Sequence, residues 1–188
     1  MQLYLIRHPK PEIASGICYG CSDILSSEVE CQLVLPALRA ALPADIPVYS
    51  SPLQRCALLA NHMHPAPVFD PRLMEMDFGD WELKSWDQIP RAEIDAWAAD
   101  VSNYRPGGAE NVIEMATRVI HFLQDVKNIM MNAGQQHLAV VCHAGTMRLM
   151  LAYQLAIDPI ALAKRVESYP QTIGFGECKQ LQLGECEV

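Results

Sequence analysis

Two stretches, Leu3-Tyr4-Leu5-Ile6-Arg7-His8 and Leu138-Ala139-Val140-Val141-Cys142-His143, decide the fold of this chain. Each is a short apolar run that ends on a histidine. Runs of this length bounded by polar residues read as strands covered on both faces, the pattern of parallel sheets with helices on either side. An unpartnered guanidinium in such a core costs roughly several kcal/mol, so Arg7 and His8 mark where the first strand surfaces. In open α/β sheets ligands bind at that carboxyl end, so the two histidines predict a site as well as a sheet.

The segments between these strands complete the pattern. Pro9–Leu25 reads as a Pro/Gly-bearing loop, and Ser26–Leu42 has apolar residues at helical spacing. Pro36 interrupts that helix; an interior proline removes a hydrogen bond and costs roughly 3 kcal/mol, which predicts a kink or two shorter helices. Pro47–Ser50 is a brief strand, Leu53–His64 a helix with Arg55 in its first turn, and Val68–Phe69 a third short strand. Arg72–Trp86 mixes acidic, aromatic and glycine residues without a clear period and reads as a functional loop, with a short helix at Leu83–Gln88 as the alternative. Pro106-Gly107-Gly108 is a breaker, and Glu110–Met131 carries the longest helical pattern. After the second buried strand come helices at Thr146–Ala156 and Pro159–Val166, then strands near Thr172–Phe175 and Cys178–Leu183. The alternation predicts one α/β domain over 1–188, a three-layer sandwich with a mostly parallel central sheet flanked by helices, and a lid-like insertion around 72–110.

Half of the 188 residues are hydrophobic and 19% are charged, a soluble globular composition with no run near the roughly 20 apolar residues of a membrane span. The net charge of −8, with no basic stripe to offset it, argues against nucleic acid and anionic membranes as partners. The opening strand lacks the features of a signal peptide, so a cytoplasmic location is expected. Seven scattered cysteines read as reduced thiols. Cys18-Tyr19-Gly20-Cys21 has redox or zinc spacing, but no second close pair completes a tetrahedral site, so no metal is expected. The oligomeric state stays open between monomer and homodimer.

Gathered from the ends of these elements, the candidate site holds Arg7, His8, Arg55, His143 and a carboxylate from the irregular loop, with Glu75 best placed. This set suits a small phosphorylated substrate. Arginine presents a planar fork that matches phosphate oxygens, and an imidazole is a nucleophile when its other nitrogen is held by a hydrogen bond. A nearby carboxyl group protonates a leaving alkoxide. Tyr19, Trp81 and Trp86 are candidates to stack on an aromatic base, with lid packing as the alternative. His62, His64, His121 and His137 are assigned no role.

Four blocks, Leu5-Ile6-Arg7-His8, Ser51-Pro52-Leu53-Gln54-Arg55-Cys56, Met74-Glu75-Met76-Asp77-Phe78-Gly79-Asp80-Trp81-Glu82 and His143-Ala144-Gly145, resemble the histidine phosphatase superfamily, whose members are phosphoglycerate-mutase-like in fold. Gly16-Ile17-Cys18-Tyr19-Gly20-Cys21-Ser22-Asp23 is similar to a stretch shared by the α-ribazole 5′-phosphate phosphatases of cobalamin assembly. The resemblance implies attack of His8 on phosphorus, a phosphohistidine, and its release by water, without metal or cofactor. Arg7, Arg55, His143 and Ala144 would then hold the phosphoryl oxygens, Glu75 would be the proton donor, and Tyr19 and Ser22 would meet the substrate. Asp77, Asp80 and Glu82 are rivals for the acid. The chain departs from the family pattern at Pro9, where Gly or Thr is usual, at Leu83, where Gly is usual, and at Gly107-Gly108-Ala109-Glu110-Asn111. These departures affect the pocket loops and leave a broad-specificity small-molecule or sugar phosphatase as an alternative. A phosphoglycerate-mutase activity and a non-catalytic phospho-ligand-binding protein are further alternatives.

Overall fold

The structure, a computed structural model, describes residues 1–153, 158–167 and 172–184. Five strands, β1 (Gln2–Arg7), β2 (Val48–Ser50), β3 (Val68–Phe69), β4 (His137–Cys142) and β5 (Cys178–Gln182), form one sheet in the order β3-β2-β4-β1-β5. The first four are parallel, and β5 closes the far edge antiparallel to β1. Register places Leu5 opposite Val140 and Arg7 opposite Cys142.

Alternate residues of the central strands serve opposite layers, which is why their sequence is apolar throughout. Leu3, Leu5, Leu138 and Val140 pack against α4 (Val112–Ala133), α5 (Ala144–Ala152) and α6 (Pro159–Glu167). Tyr4, Ile6, Ala139 and Val141 pack against α1 (Glu28–Ala41) and α2 (Gln54–Met63). Helices on both faces of a mostly parallel sheet make the expected three-layer α/β sandwich.

Helix ends follow local chemistry. Ser27 caps α1 by accepting from the Glu30 amide, and Asn111 and Glu114 form a capping box on α4. α4 ends at Gly134 in the left-handed region, where glycine has no Cβ to clash.

Three expectations are corrected. Pro36 does not divide its helix, since α1 runs through it as one element; Pro36 is on the exposed side, where water can meet the carbonyl its missing N–H leaves free. Residues 172–175 are not a strand. There the chain turns over the end of β1, with the Gly176 amide donating to the Arg7 and His8 carbonyls, and pairing begins only at Cys178. The 72–110 segment contains a helix absent from the sequence reading, α3 (Arg91–Ala99), along with 3-10 turns at Gly79–Trp81, Trp86–Gln88 and Pro106–Gly108. The expected end of the helix at Thr146–Ala156 runs into residues outside those described. No helix among the described residues is long and apolar enough to cross a membrane.

Candidate active site

Three strand ends converge. β1 delivers Arg7 and His8, β2 delivers Ser51, and β4 delivers His143. The ladder continues one residue past each strand, the His8 amide donating to the Cys142 carbonyl and that of Ser51 to Val141, so these side chains are seated by sheet geometry.

His8 is buried, and its Nδ1 lies 2.7 Å from the Pro9 carbonyl. A carbonyl only accepts, so Nδ1 carries the proton and Nε2 keeps its lone pair. Pro9, which has no amide hydrogen, therefore contributes through its oxygen. Burial first, then the charge on Arg55, lower the His8 pKa to about 3, which keeps the ring neutral. His143 lies beside it with ring centroids 5.1 Å apart. Its Nδ1 accepts from Arg55 Nε at 3.3 Å and its Nε2 is 2.9 Å from the Ser51 hydroxyl. Burial and its charged neighbours hold it well below the usual histidine value.

Arg55 is fully buried yet does not face apolar groups alone. Its Nη1 donates to Ser22 O at 2.7 Å and its Nη2 to Gly20 O at 2.5 Å, and its Nε is bonded to His143. Among the described residues these use three of the five guanidinium donors, leaving two for an anion. Arg7 donates to the Ile173 carbonyl at 2.5 Å and lies 3.9 Å under the Phe175 ring; its Nε is buried without a partner among the described residues. Such a donor suits a ligand that arrives with an acceptor.

Glu75 sits across from these groups. Its Oε2 accepts from the Gly145 amide at 3.0 Å and its Oε1 from the Met76 amide at 3.2 Å. A Cβ on Gly145 would come within 2.3 Å of Glu75 Oε1, so the small residue after Ala144 makes room for the carboxylate. Ala144 opens α5, in the turn whose amides lack intrahelical acceptors. The rival acids are differently engaged. Glu82 accepts from the amides of Cys21, Ser22 and Phe78, Asp77 accepts from Gly79, and Asp80 lines a separate polar depression with Lys84 and Arg105. Cys21, Asp77 and Glu82 lie within ligand distance of one another, and burial and the charge of Glu82 push the Cys21 thiol up to about 12.

A cavity of about 690 Å³ opens beside Glu75. Its walls are mainly apolar, including Phe78, Trp86, Ile94, Trp97, Val101 and Leu149, with Arg148 and Glu167 also on the lining and Tyr19 on the side of Arg55. Trp86 and Trp97 are nearly parallel, 4° apart in plane, with centroids 6.3 Å apart. Tyr19 also lies 5.4 Å from the Arg55 guanidinium. Trp81 does not line this cavity; it is buried with Ile89 and Cys18 and donates to Glu93. Ser22 is likewise absent from the lining, its hydroxyl donating to Glu82 and its carbonyl serving Arg55.

Two contributors were missed from sequence. Trp97 belongs to the stripe Ile94, Trp97, Ala98 and Val101, whose helical spacing is the signal that reveals α3. Arg118 anchors the loop before Glu75, donating to the carbonyls of Arg72, Met74 and Glu75 and pairing with Glu110 at 2.7 Å. Its signal is a charge between Met115 and Phe122 on the buried stripe of α4.

Residues 3–169 match the histidine phosphatase superfamily (branch 1). The chain belongs to the histidine phosphatase superfamily. It is a phosphoric monoester hydrolase of that superfamily. A protein of Hydrogenobacter thermophilus provisionally named phosphoserine phosphatase 2 is 28% identical, over 80% of this chain and 76% of its own. The adenosylcobalamin/alpha-ribazole phosphatase of Salmonella typhimurium is 27% identical, over 86% of this chain and 83% of its own. Among solved structures, the alpha-ribazole phosphatase of Shigella flexneri shares the fold with a TM-score of 0.79 at 21% identity, covering 98% of this chain and 92% of that one.

Proposed function

We propose that this chain hydrolyses α-ribazole 5′-phosphate to α-ribazole and phosphate, through a phosphohistidine on His8. The apolar, tryptophan-walled cavity beside Glu75 is the observation that carries the choice of substrate. A planar aromatic base on a ribose fills such a room with its apolar part while its 5′-phosphate reaches the arginines. Phosphoserine would leave most of these apolar walls unfilled, its ammonium and carboxylate meeting only Arg148 and Glu167 among the charged residues that line the cavity beside Glu75.

In the first step the Nε2 lone pair of His8 attacks phosphorus and the ester P–O bond breaks. Arg7, Arg55, His143 and the Ala144 amide hold the phosphoryl oxygens, and the Glu75 carboxyl gives its proton to the leaving 5′-oxygen. In the second step the Glu75 carboxylate takes a proton from water, which attacks the phosphohistidine and frees phosphate and His8. Tyr19 packs between the arginines and the substrate. The 72–110 segment, which supplies Phe78, Trp86 and Trp97, serves as the lid.

The test is phosphate release from α-ribazole 5′-phosphate beside phosphoserine and sugar phosphates, with His8→Ala as background. A preference of about a hundredfold in kcat/KM, some 2.7 kcal/mol, is expected for α-ribazole 5′-phosphate. Even rates across the panel would instead make the chain a broad-specificity phosphatase.

A further inference from the structure

The turn Gly20–Asp23 lies between two charged side chains and bonds to both. On one side Glu82 Oε1 accepts from the Cys21 amide at 2.8 Å and from Phe78 at 3.1 Å, and Oε2 accepts from the Ser22 amide at 2.6 Å and from the Ser22 hydroxyl. On the other side the Gly20 and Ser22 carbonyls receive Arg55 Nη2 and Nη1. The Gly20 carbonyl and the Cys21 amide belong to one planar peptide unit. That unit therefore connects a carboxylate to a guanidinium, with its dipole aligned to both charges.

The neighbouring contacts leave the turn little freedom. Asp23 accepts from the Gln54 amide at 2.7 Å and the Gln54 side chain at 2.9 Å, at the start of α2 where Leu53 offers no side-chain cap. Gly20 is pressed against the loop that carries the acids, where an added Cβ would lie 1.9 Å from the Met76 carbonyl and 2.9 Å from Glu82 Oε1. Arg55 in turn donates to His143. A continuous set of hydrogen bonds thus runs from the lid, through the turn, to the anion-facing guanidinium and one of the two histidines.

We infer that Glu82 is a positioning residue: by fixing the Gly20–Ser22 turn it sets the orientation of Arg55 and so the affinity of the site for a phosphoryl group. Burial acts to raise the Glu82 pKa, but its hydrogen bonds from Ser22, Phe78 and Cys21 outweigh that and hold it below the ordinary glutamate value. It is consequently an anion at neutral pH, suited to anchor amides and unsuited to deliver a proton. The role is distinct from that of Glu75, and it gives a function to the last acid of the motif.

The inference rests on Arg55 holding phosphate, so the test carries both residues. Inorganic phosphate is titrated as a competitive inhibitor of p-nitrophenyl phosphate hydrolysis by wild type, Glu82→Gln, Arg55→Ala and the double variant, with thermal melting to establish folding. Glutamine keeps the shape but turns a donor toward amides that are themselves donors. Glu82→Gln is expected to raise the phosphate Ki about tenfold, in line with loss of a charge-assisted hydrogen bond. In the Arg55→Ala background the same change is expected to have less than about a twofold effect, because the residue it acts through is gone. The ratio of rates on aryl and alkyl phosphates should stay that of wild type, since proton delivery is untouched.

An unchanged Ki in Glu82→Gln, or an equal effect with and without Arg55, would overturn the inference. An unchanged Ki in Arg55→Ala would instead overturn the phosphate-holding role of Arg55. Should Glu82→Gln not fold, Ser22→Ala removes one donor to the same carboxylate; a Ki raised about threefold only when Arg55 is present supports the inference, and no change overturns it.

Discussion

Lowering the pH from 7 to 5 is expected to weaken the fold through His8. Burial, with the charge of Arg55 next in weight, takes the His8 pKa from 6.5 to about 3 in the folded state. In the unfolded chain the imidazole titrates near 6.5, its ordinary value. Between these two values the unfolded state binds a proton that the folded state refuses. Stability therefore falls as pH falls through 6.5, and this loss is complete near the folded value. At pH 5 the unfolded state gains about 1.5 pH units at about 1.36 kcal/mol each, roughly 2 kcal/mol. Equilibrium urea unfolding of wild type and His8→Asn at pH 7, 6 and 5 measures this directly. His143 shifts in the same direction and lies beside His8, which is one cause of its shift, so the difference between the two proteins reports His8 together with its coupling to His143. Wild type should lose about 2 kcal/mol more than the variant between pH 7 and 5. Parallel losses would refute the reasoning, because a His8 that titrates normally in the folded state contributes no such slope.

Glu75→Gln should lower kcat/KM on alkyl phosphates by about 10² to 10⁴ while reducing p-nitrophenyl phosphate hydrolysis less than about tenfold, because a phenolate leaves without a proton; equal losses on both would remove Glu75 as the acid. Trp86→Ala should cost about 1–3 kcal/mol in kcat/KM for α-ribazole 5′-phosphate, the range for aromatic stacking on a base, and little for glycerol phosphate; equal losses on both substrates would remove Trp86 from recognition. Leu83 holds φ of 64° in a region that costs an L-residue roughly 1–2 kcal/mol, against the roughly 0.5–1 kcal/mol entropic cost of glycine. Leu83→Gly should therefore raise Tm by a few degrees, and a lower Tm would show that the exposed Leu83 side chain stabilises its loop.

The sheet and the placing of Arg7, His8 and His143 at its carboxyl edge were legible because β1 and β4 are buried on both faces and their first charged or imidazole residues mark where the strands surface. Arg55 was legible only as part of its block, since an arginine in the first turn of a helix otherwise reads as a solvated charge. The choice among Glu75, Asp77, Asp80 and Glu82 depended on the contacts of Glu75 with Gly145, Asp77 with Gly79 and Glu82 with Cys21, and on the place of Asp80 in a separate depression, none of which has a sequence period. The apolar cavity beside Glu75 was the least legible part. Its walls come from the Ile17–Tyr19 segment, α3, α4, α5, α6 and the 72–110 loop, and a cavity formed by packing leaves no local pattern. The error at 172–175 has a similar origin: an apolar stretch of strand composition is turned instead over Arg7, where its carbonyl and its phenyl ring cover the guanidinium.

The central claim is that phosphate passes through His8. The most direct measurement is rapid quenching of turnover with radiolabelled substrate under alkaline conditions, which preserve phosphohistidine, followed by peptide mapping. Label on the His8 peptide that forms and decays at rates consistent with kcat, and is absent from His8→Asn, is the expected result. Turnover with no label on His8, or with label on another residue, would contradict it.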